Sequence, residues 1–196
     1  MTGITGKCIL GSDRTEEALN VIGDLIRPVR LSHRLEQLAV AAAGNALLDA
    51  GLGLPFGDSA IGLYIGIDDS IEDIKDEYFS MVLAEGILGA SPLLFPFTSP
   101  NALTAQISIA CDLRGEAVVM PINGACPDVI EYATECIDGL HVQMAVAGTI
   151  RTRDRELTAE KGRYIAKFVI IERESDAVRR GKRIYSASEA VNLGQI

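Results

Sequence analysis

Cysteine and histidine, the residue types that can act as nucleophiles, bases or metal ligands, are few in this 196-residue chain. It has four cysteines and two histidines. Zinc sites need cysteines and histidines in closely spaced pairs, and here the cysteines are too scattered. Two histidines are also too few for a histidine-rich metal site, so we expect no metal and no cofactor. In a cytoplasmic protein cysteines stay reduced and mostly pack as small hydrophobes. Free thiols are therefore expected at Cys8, Cys111, Cys126 and Cys136.

The acidic balance of the chain argues against nucleic-acid binding. The formal net charge is −9, whereas proteins that bind DNA or RNA need a basic surface. There is one local exception, a basic cluster near the end of the sequence. Its simplest interpretation is a solvated helix end that complements the helix dipole. The cluster consists of Arg179, Arg180, Lys182 and Arg183.

Length and composition predict one cytoplasmic domain over residues 1–196. Apolar residues make up 48% of the chain, which is enough for a full core. No apolar run approaches the roughly 20 residues that a membrane-spanning helix needs. The first residues show no basic region followed by an apolar stretch, as a secretory signal would.

The apolar periodicity predicts strands that alternate with helices. A short strand is expected at residues 4–10, and a buried parallel strand at 61–67 because that run is apolar and β-branched. The clearest helix should start at Ser32, its expected cap, and stop at Gly51. Further helices are predicted at 70–88, 102–113, 127–138 and 175–183, and further strands at 117–122, 142–150 and 163–173, with a last strand or tail at 184–191. This alternation indicates an α/β fold with a largely parallel sheet.

An ordered series of short motifs narrows the α/β class to one family. In this order and at these spacings the series resembles the N-terminal domain of β-ketoacyl synthases, over nearly the whole chain. The motifs are AAGNALLDAGL (42–52), IGLYIG (61–66), SPLLFPFTSPN (91–101), LRG (113–115), a helix with Ala133, Ile137 and Gly139, AVAG (145–148) and FVIIERESDAVRRGKRIYS (168–186).

The resemblance implies a thiolase-like half-fold of order βαβαβαββ. Such a domain contains a mixed, mostly parallel five-stranded sheet with helices on both faces. In the family it forms one half of a duplicated subunit, and two further basic groups, His or Asn, come from the other half. His33 and His141 do not fit those roles and are expected to be structural or solvated.

The resemblance also implies where acyl-transfer chemistry would be located. A condensing enzyme carries a cysteine between its central strand and a buried helix, where the helix N-terminus lowers the thiol pKa and backbone N–H groups bind the oxyanion. Counting from the flanking motifs places this position at Asn123 or at Gly124. Neither residue can form a thioester, so both are predicted as substrate-binding residues. Asn123 could hydrogen-bond a carbonyl in a pocket, or could simply cap the helix.

Cys126 is the alternative nucleophile. Aligning it with the family position needs an insertion in the strand and the loss of about one helical turn. Its other interpretation is a small buried thiol at a helix start.

These departures predict a protein that is not an enzyme by itself, although it resembles 3-oxoacyl carrier-protein synthases. Chain-length-factor subunits of polyketide synthases likewise lack the cysteine and pair with an active synthase. We expect a non-catalytic partner in fatty-acid or polyketide-type synthesis. Two alternatives remain: an enzyme half that uses Cys126 with residues from a partner chain, and a module that binds an acyl group or an acidic acyl carrier protein. The basic cluster is the feature that could attract such a carrier.

A half-fold should also expose surfaces that need a partner. In the family the strand before the nucleophile, here 117–122, pairs across a dimer. The alanine-rich helix at 39–50 and the helix at 128–137 are the candidates for an exposed apolar face. Large exposed apolar patches rarely persist in monomers, so we expect a homodimer or a heterodimer with a β-ketoacyl synthase.

Overall fold

The computed structural model describes residues 1–31, 33–58, 60–122, 127–152 and 164–186. Strands and helices alternate along most of this chain. The strands are β1 (Thr2–Gly11), β2 (Ile61–Ile67), β3 (Ala117–Pro121), β4 (Met144–Thr152) and β5 (Tyr164–Arg173). The helices are α1 (Thr15–Ile22), α2 (Arg34–Asp49), α3 (Glu72–Glu85), α4 (Asn101–Cys111), α5 (Pro127–Asp138) and α6 (Glu174–Arg179). Short 3₁₀ turns occupy Ser12–Arg14, Asp69–Ile71 and Phe95–Thr98.

The five described strands form one sheet in the order β1-β5-β4-β2-β3. β2 runs parallel to both β3 and β4, while β5 runs antiparallel to both β1 and β4. Four strands therefore point the same way and β5 opposes them. This confirms the predicted mixed, mostly parallel five-stranded sheet.

Two apolar cores cover the two faces of the sheet. Leu38 of α2 and Ile107 of α4 belong to the larger core, together with Ile22 of α1. Val129 and Ile137 of α5 belong to the smaller core on the opposite face. Helices therefore lie on both faces, as predicted, with α1, α2 and α4 on one and α5 on the other.

Helix α2 packs so closely on the sheet that little of it reaches solvent. A side chain at Gly6 of β1 would place its Cβ 2.4 Å from the carbonyl oxygen of Ala46, so glycine is required at this contact. Ala39, Ala42 and Ala46 are fully buried. The prediction that the alanine-rich helix at 39–50 forms an exposed face is therefore wrong. Small side chains on several sides of a helix allow it to be buried between neighbours.

The prediction that the helix at 128–137 exposes an apolar face is also wrong. The apolar residues Val129, Ala133 and Ile137 of α5 point into the core and are fully buried. Its outer positions include the exposed carboxylates of Glu131 and Glu135. The helix is amphipathic and its apolar face is already covered by the sheet.

The start of α2 differs from the prediction, because His33 caps this helix. Ser32, the predicted cap, lies outside the described residues. The Leu35 backbone N–H donates to His33 Nδ1 at 3.1 Å, and the His33 backbone N–H donates to Glu36 Oε2 at 3.1 Å. These reciprocal bonds form a capping box.

Helix α1 was not predicted, because its sequence reads as a polar segment. Its Ile22 is nevertheless fully buried and packs against α2 at Gly44, where an added Cβ would lie 2.6 Å from Ile22 Cδ1.

Residues 184–186 form neither helix nor strand, and the Tyr185 N–H donates to the carbonyl of Ile4 at 2.8 Å. The rest of the predicted last strand or tail lies outside the described residues.

In the part of the chain that the structure describes, every helix is too short or too polar to cross a bilayer.

The His33 cap predicts a pH-dependent stability. Burial lowers the pKa of His33 below its ordinary value, although the carboxylates of Glu77 and Asp73 act in the opposite direction. The unfolded chain therefore takes up this proton at a higher pH than the native chain. The free energy of unfolding, measured with urea, should fall as the pH drops from about 7 toward 5.

A His33→Asn variant should lose this component, because asparagine caps without titrating. His141→Asn, at an exposed position, is the matched control and should keep the pH dependence of the wild type. Identical pH profiles for the wild type and His33→Asn would show that the cap does not titrate as described.

Candidate functional site

The predicted site lies where the carboxyl ends of β2, β3 and β4 meet the start of α5. We call this region the carboxyl-end corner and define it by Gly66, Ile122, Val129 and Thr149. Ligands of open parallel sheets bind at this edge. Asn123, Gly124 and Cys126, the predicted site residues, all fall between β3 and α5 and lie outside the described residues. The corner is therefore described by the residues on either side of them.

Close packing brings α5 onto the sheet at Gly66. A Cβ at this position would lie 2.6 Å from Val129 Cγ2, 2.8 Å from Ile122 Cγ2 and 3.2 Å from Thr149 Cγ2. Three methyl groups therefore occupy the space above the glycine. The contact fixes the height of the first turn of α5 above β2.

A carboxylate ties the strand ends together beside the corner. Asp68 follows β2, and its side chain accepts hydrogen bonds from the backbone N–H groups of Ser70, at 2.9 Å, and Thr152, at 2.8 Å. The bond to Thr152 links the end of β2 to the end of β4, as the bond from the Asp68 N–H to the Ile150 carbonyl also does.

The corner contains one buried hydroxyl of interest. Thr149 is 1% exposed, and its Oγ1 has no hydrogen-bond partner within the described segments. Leaving a buried hydroxyl without a partner costs about 1–3 kcal/mol. A group that accepts a hydrogen bond at this corner, such as a carbonyl, would recover part of that cost.

The cysteines that the structure describes are poorly suited to acyl transfer. Cys8, Cys111 and Cys136 are free thiols, as predicted. Burial raises the pKa of Cys111 to about 12, and burial together with the charge of Asp49 raises the pKa of Cys8 to about 11. Cys136 lies in the last turn of α5, away from the corner at its first turn. None of the three is placed as an acyl-accepting thiolate at the corner.

The two histidines lie away from the corner. His33 caps α2 through Nδ1, and His141 is exposed in the turn that joins α5 to β4. In the described segments no three His, Cys, Asp or Glu side chains come together as a metal ion would require.

A buried tyrosine contacts the middle of α5, and the sequence analysis missed it. The Tyr64 ring lies over Gly62, where an added Cβ would be 2.7 Å from the hydroxyl oxygen. The hydroxyl donates to the carboxylate of Glu116, and the ring packs edge-on against Tyr132 at 5.5 Å between centroids. Burial, followed by the hydrogen bond to Glu116, raises the pKa of Tyr64. The sequence signal that could have indicated this contact is Gly62, which lies two residues before Tyr64 in the same strand.

The basic cluster is only partly a solvated helix end. Glu172 is 1% exposed and accepts hydrogen bonds from Arg180 Nε at 3.1 Å and from Thr5 Oγ1 at 2.7 Å. Arg180 is therefore committed to the junction of β5, α6 and β1. Arg179 is 79% exposed and pairs with Asp176 at 3.3 Å, so it fits the original interpretation. The Lys182 side chain lies over Gly51, and the Arg183 guanidinium lies 5.2 Å from the Tyr185 ring centroid.

Strand β3 is the last described strand on its side of the sheet. Leu63 N–H donates to the Glu116 carbonyl and Ile122 N–H donates to the Ile67 carbonyl, so even-numbered residues bond toward β2. By alternation Val119 directs its N–H toward the open edge. Pro121, which has no N–H, falls at another outward position, where proline is tolerated.

Two cavities of about 230 Å³ lie elsewhere. One is lined by Phe56, Ile61, Met144 and Arg179 at the amino ends of β2 and β4. The other lies between the 3₁₀ turn Ser12–Arg14 and the start of α2.

The family of the chain follows from this arrangement and from direct comparison. A family model for the β-ketoacyl synthase N-terminal domain matches residues 26–160. The chain belongs to the β-ketoacyl synthase N-terminal domain family, which confirms the resemblance. A search of the curated proteins found no match.

Solved structures of condensing enzymes share the fold. The ishigamide ketosynthase/chain length factor superposes with a TM-score of 0.73 at 20% identity, over 93% of this chain and 60% of that chain. A β-ketoacyl synthase from Burkholderia phymatum gives 0.64 at 20% identity, over 93% and 61%. A type II polyketide synthase acyl-carrier protein in complex with its ketosynthase gives 0.67 at 14% identity, over 94% and 60%. These matches confirm the thiolase-like fold, and this chain spans about 60% of the length of those proteins.

The Gly66 contact predicts a large effect of a single methyl group. Gly66→Ala should lower the free energy of unfolding by about 1–3 kcal/mol, because Val129, Ile122 and Thr149 would all have to move. Gly53→Ala is the matched control, since an added Cβ there meets nothing within 4 Å. Denaturant unfolding measures both changes. Equal stability of the two variants would mean that the corner is loosely packed.

The Glu172–Arg180 pair predicts a second stability difference. Arg180→Ala leaves a buried carboxylate unpaired and should cost about 2 kcal/mol or more, allowing for the partial exposure of the arginine. Arg179→Ala breaks only an exposed pair and should change stability by less than about 1 kcal/mol. Thermal unfolding of the two variants side by side tests this. If Arg179→Ala were the more damaging change, the assignment of Arg180 would be wrong.

Proposed function

We infer that the chain acts as a non-catalytic β-ketoacyl synthase-like subunit. In this proposal it pairs with itself or with a condensing enzyme of fatty-acid or polyketide-type synthesis. Membership of the family and the likeness to ketosynthase and chain-length-factor structures support the proposed link to condensing enzymes. The role itself rests on the chemistry of this chain.

The observation that carries the proposal is the position of β3 at the edge of the described sheet, where the strand ends at the corner. Among the described strands none pairs with the outward edge of β3; an edge of this kind can bond to a strand of another protein. The resemblance places the family cysteine position at Asn123 or at Gly124, with Cys126 as the alternative nucleophile. Cys8, on β1 and partly buried, and Cys111, buried at the end of α4, lie on other elements and have raised pKa values, so they do not replace the family cysteine.

An acyl group remains the proposed ligand of the corner, with Asn123 and Gly124 as its binding residues. The Thr149 hydroxyl supports this, because an acyl carbonyl could accept its hydrogen bond. An acyl carrier protein remains a proposed partner. Arg179 is better placed than Arg180 to meet an acidic carrier, since it is exposed while Arg180 is held by Glu172.

The pairing is tested with two variants of one residue. Val119→Pro removes the outward N–H of β3 and leaves its bonds to β2 in place, whereas Val119→Ala keeps the N–H and loses a similar amount of side-chain packing. Light scattering should show an assembly in the wild type and in Val119→Ala, and its loss in Val119→Pro. Each protein is measured alone and after mixing with a type II polyketide ketosynthase that lacks its own partner.

Circular dichroism establishes that Val119→Pro remains folded. A wild type that stays a monodisperse monomer at micromolar concentration, both alone and with the ketosynthase, would contradict the proposed pairing. An assembly that survives Val119→Pro would place the contact elsewhere.

A further inference from the structure

Helix α3 lies at the periphery of the fold with little to cover it. Among its 14 residues only Ile74 is fully buried. Tyr78 packs against Phe95 of the following 3₁₀ turn at 5.6 Å between ring centroids. The opposite side of the helix is therefore open to solvent.

This open side carries large apolar side chains at helical spacing. Phe79 and Leu83 are four residues apart and so share one face of α3, and Ile87 and Leu88 follow directly after the helix. We call these four residues the α3 ridge. They are 57%, 87%, 77% and 99% exposed.

The area of the ridge is that of a binding surface. Side chains of this size present on the order of 150 Å² each, which makes the ridge roughly 400–500 Å². This is close to the largest apolar patch of a typical monomer and about half of what one partner contributes to a stable interface.

The ridge is set in a strongly negative region. Between Asp68 and Glu85 the sequence has seven carboxylates and a single lysine. Lys75 is paired with Glu72 at 2.6 Å. Glu72 and Asp76 precede Phe79 at helical spacing, so they lie on the same face as the ridge. Asp76 and Glu77 are both exposed.

This charge decides between two possible occupants. A second copy placed on the ridge by a two-fold axis would bring two identical acidic rims together, and like charges at an interface oppose binding. A basic rim on a different protein would be complementary. The spacing of the apolar residues suits a helix that enters a groove through anchors at i and i+4.

We propose that the α3 ridge docks into an apolar groove, edged by lysine or arginine, on a protein other than a second copy of this chain. The contact uses a different element from the β3 edge and does not depend on the pairing of that strand.

Two synthetic amphipathic helical peptides serve as probes, one of leucine and lysine and one of leucine and glutamate in the same pattern. Fluorescence anisotropy should show that the full-length chain binds the leucine–lysine peptide at least about tenfold more tightly, a difference of 1.4 kcal/mol. A Phe79→Ser/Leu83→Ser variant should weaken this binding by about tenfold or more.

The matched control is Val21→Ser/Val178→Ser, which removes apolar side chains that are 60% and 69% exposed elsewhere. Both double variants keep every charge, so a general attraction between an acidic protein and a basic peptide would be the same in each. The control should bind the peptide as the wild type does. Val119→Pro should bind it too, which separates this surface from the strand edge.

Three results would overturn the proposal. The first is equal binding of the two peptides. The second is equal loss of binding in the ridge variant and in its control. The third is that the ridge variant dissociates an assembly of the chain with itself in sedimentation velocity, because a second copy would then occupy the ridge.

Discussion

The structure depends on how closely its helices approach the sheet. At Gly6 the backbone of α2 occupies the space where a side chain of β1 would be, and at Gly66 methyl groups that include one from α5 do the same above β2. Each contact fixes the height of one helix over one strand. The two cores on the two faces then close around these contacts. Dense packing of this kind tolerates small volume changes poorly.

The same constraint shapes the region where the family carries out its chemistry. Helix α5 is held at its first turn by the Gly66 contact and at its middle by the Tyr64–Tyr132 contact. It is therefore a firmly placed helix whose N-terminus faces the corner. The sequence motifs predict Asn123 or Gly124 at the position where the family has cysteine. Under the proposed function, this corner would still bind an acyl group but would not form a covalent bond to it.

Much of the fold could be predicted from local patterns, and the failures have physical causes. The apolar run at 61–67 predicted β2 with its bounds, because few other structures suit a short β-branched stretch between turn residues. Helix α1 was missed because its acidic first turn hides a short amphipathic pattern, in which Ala18 and Leu19 pack on the core beside the buried Ile22. The alanine-rich α2 was assigned to an exposed face because composition does not reveal which neighbours cover a helix. On α3, the i and i+4 apolar residues resemble a core-facing stripe, and only the tertiary structure shows that they point outward.

The site was harder to predict than the fold, because the identity of the nucleophile position depends on a shift of a few residues. The motifs on either side place it at Asn123 or Gly124, while chemistry alone favours Cys126. The most direct test is the intact mass of the chain after incubation with a reactive acyl-CoA, beside a Cys126→Ser variant and an active ketosynthase as a positive control. We predict that the ketosynthase gains an acyl group while the chain and its variant gain none. An acyl adduct on the wild-type chain that disappears in Cys126→Ser would contradict this and would identify the chain as an acyl-transferring half.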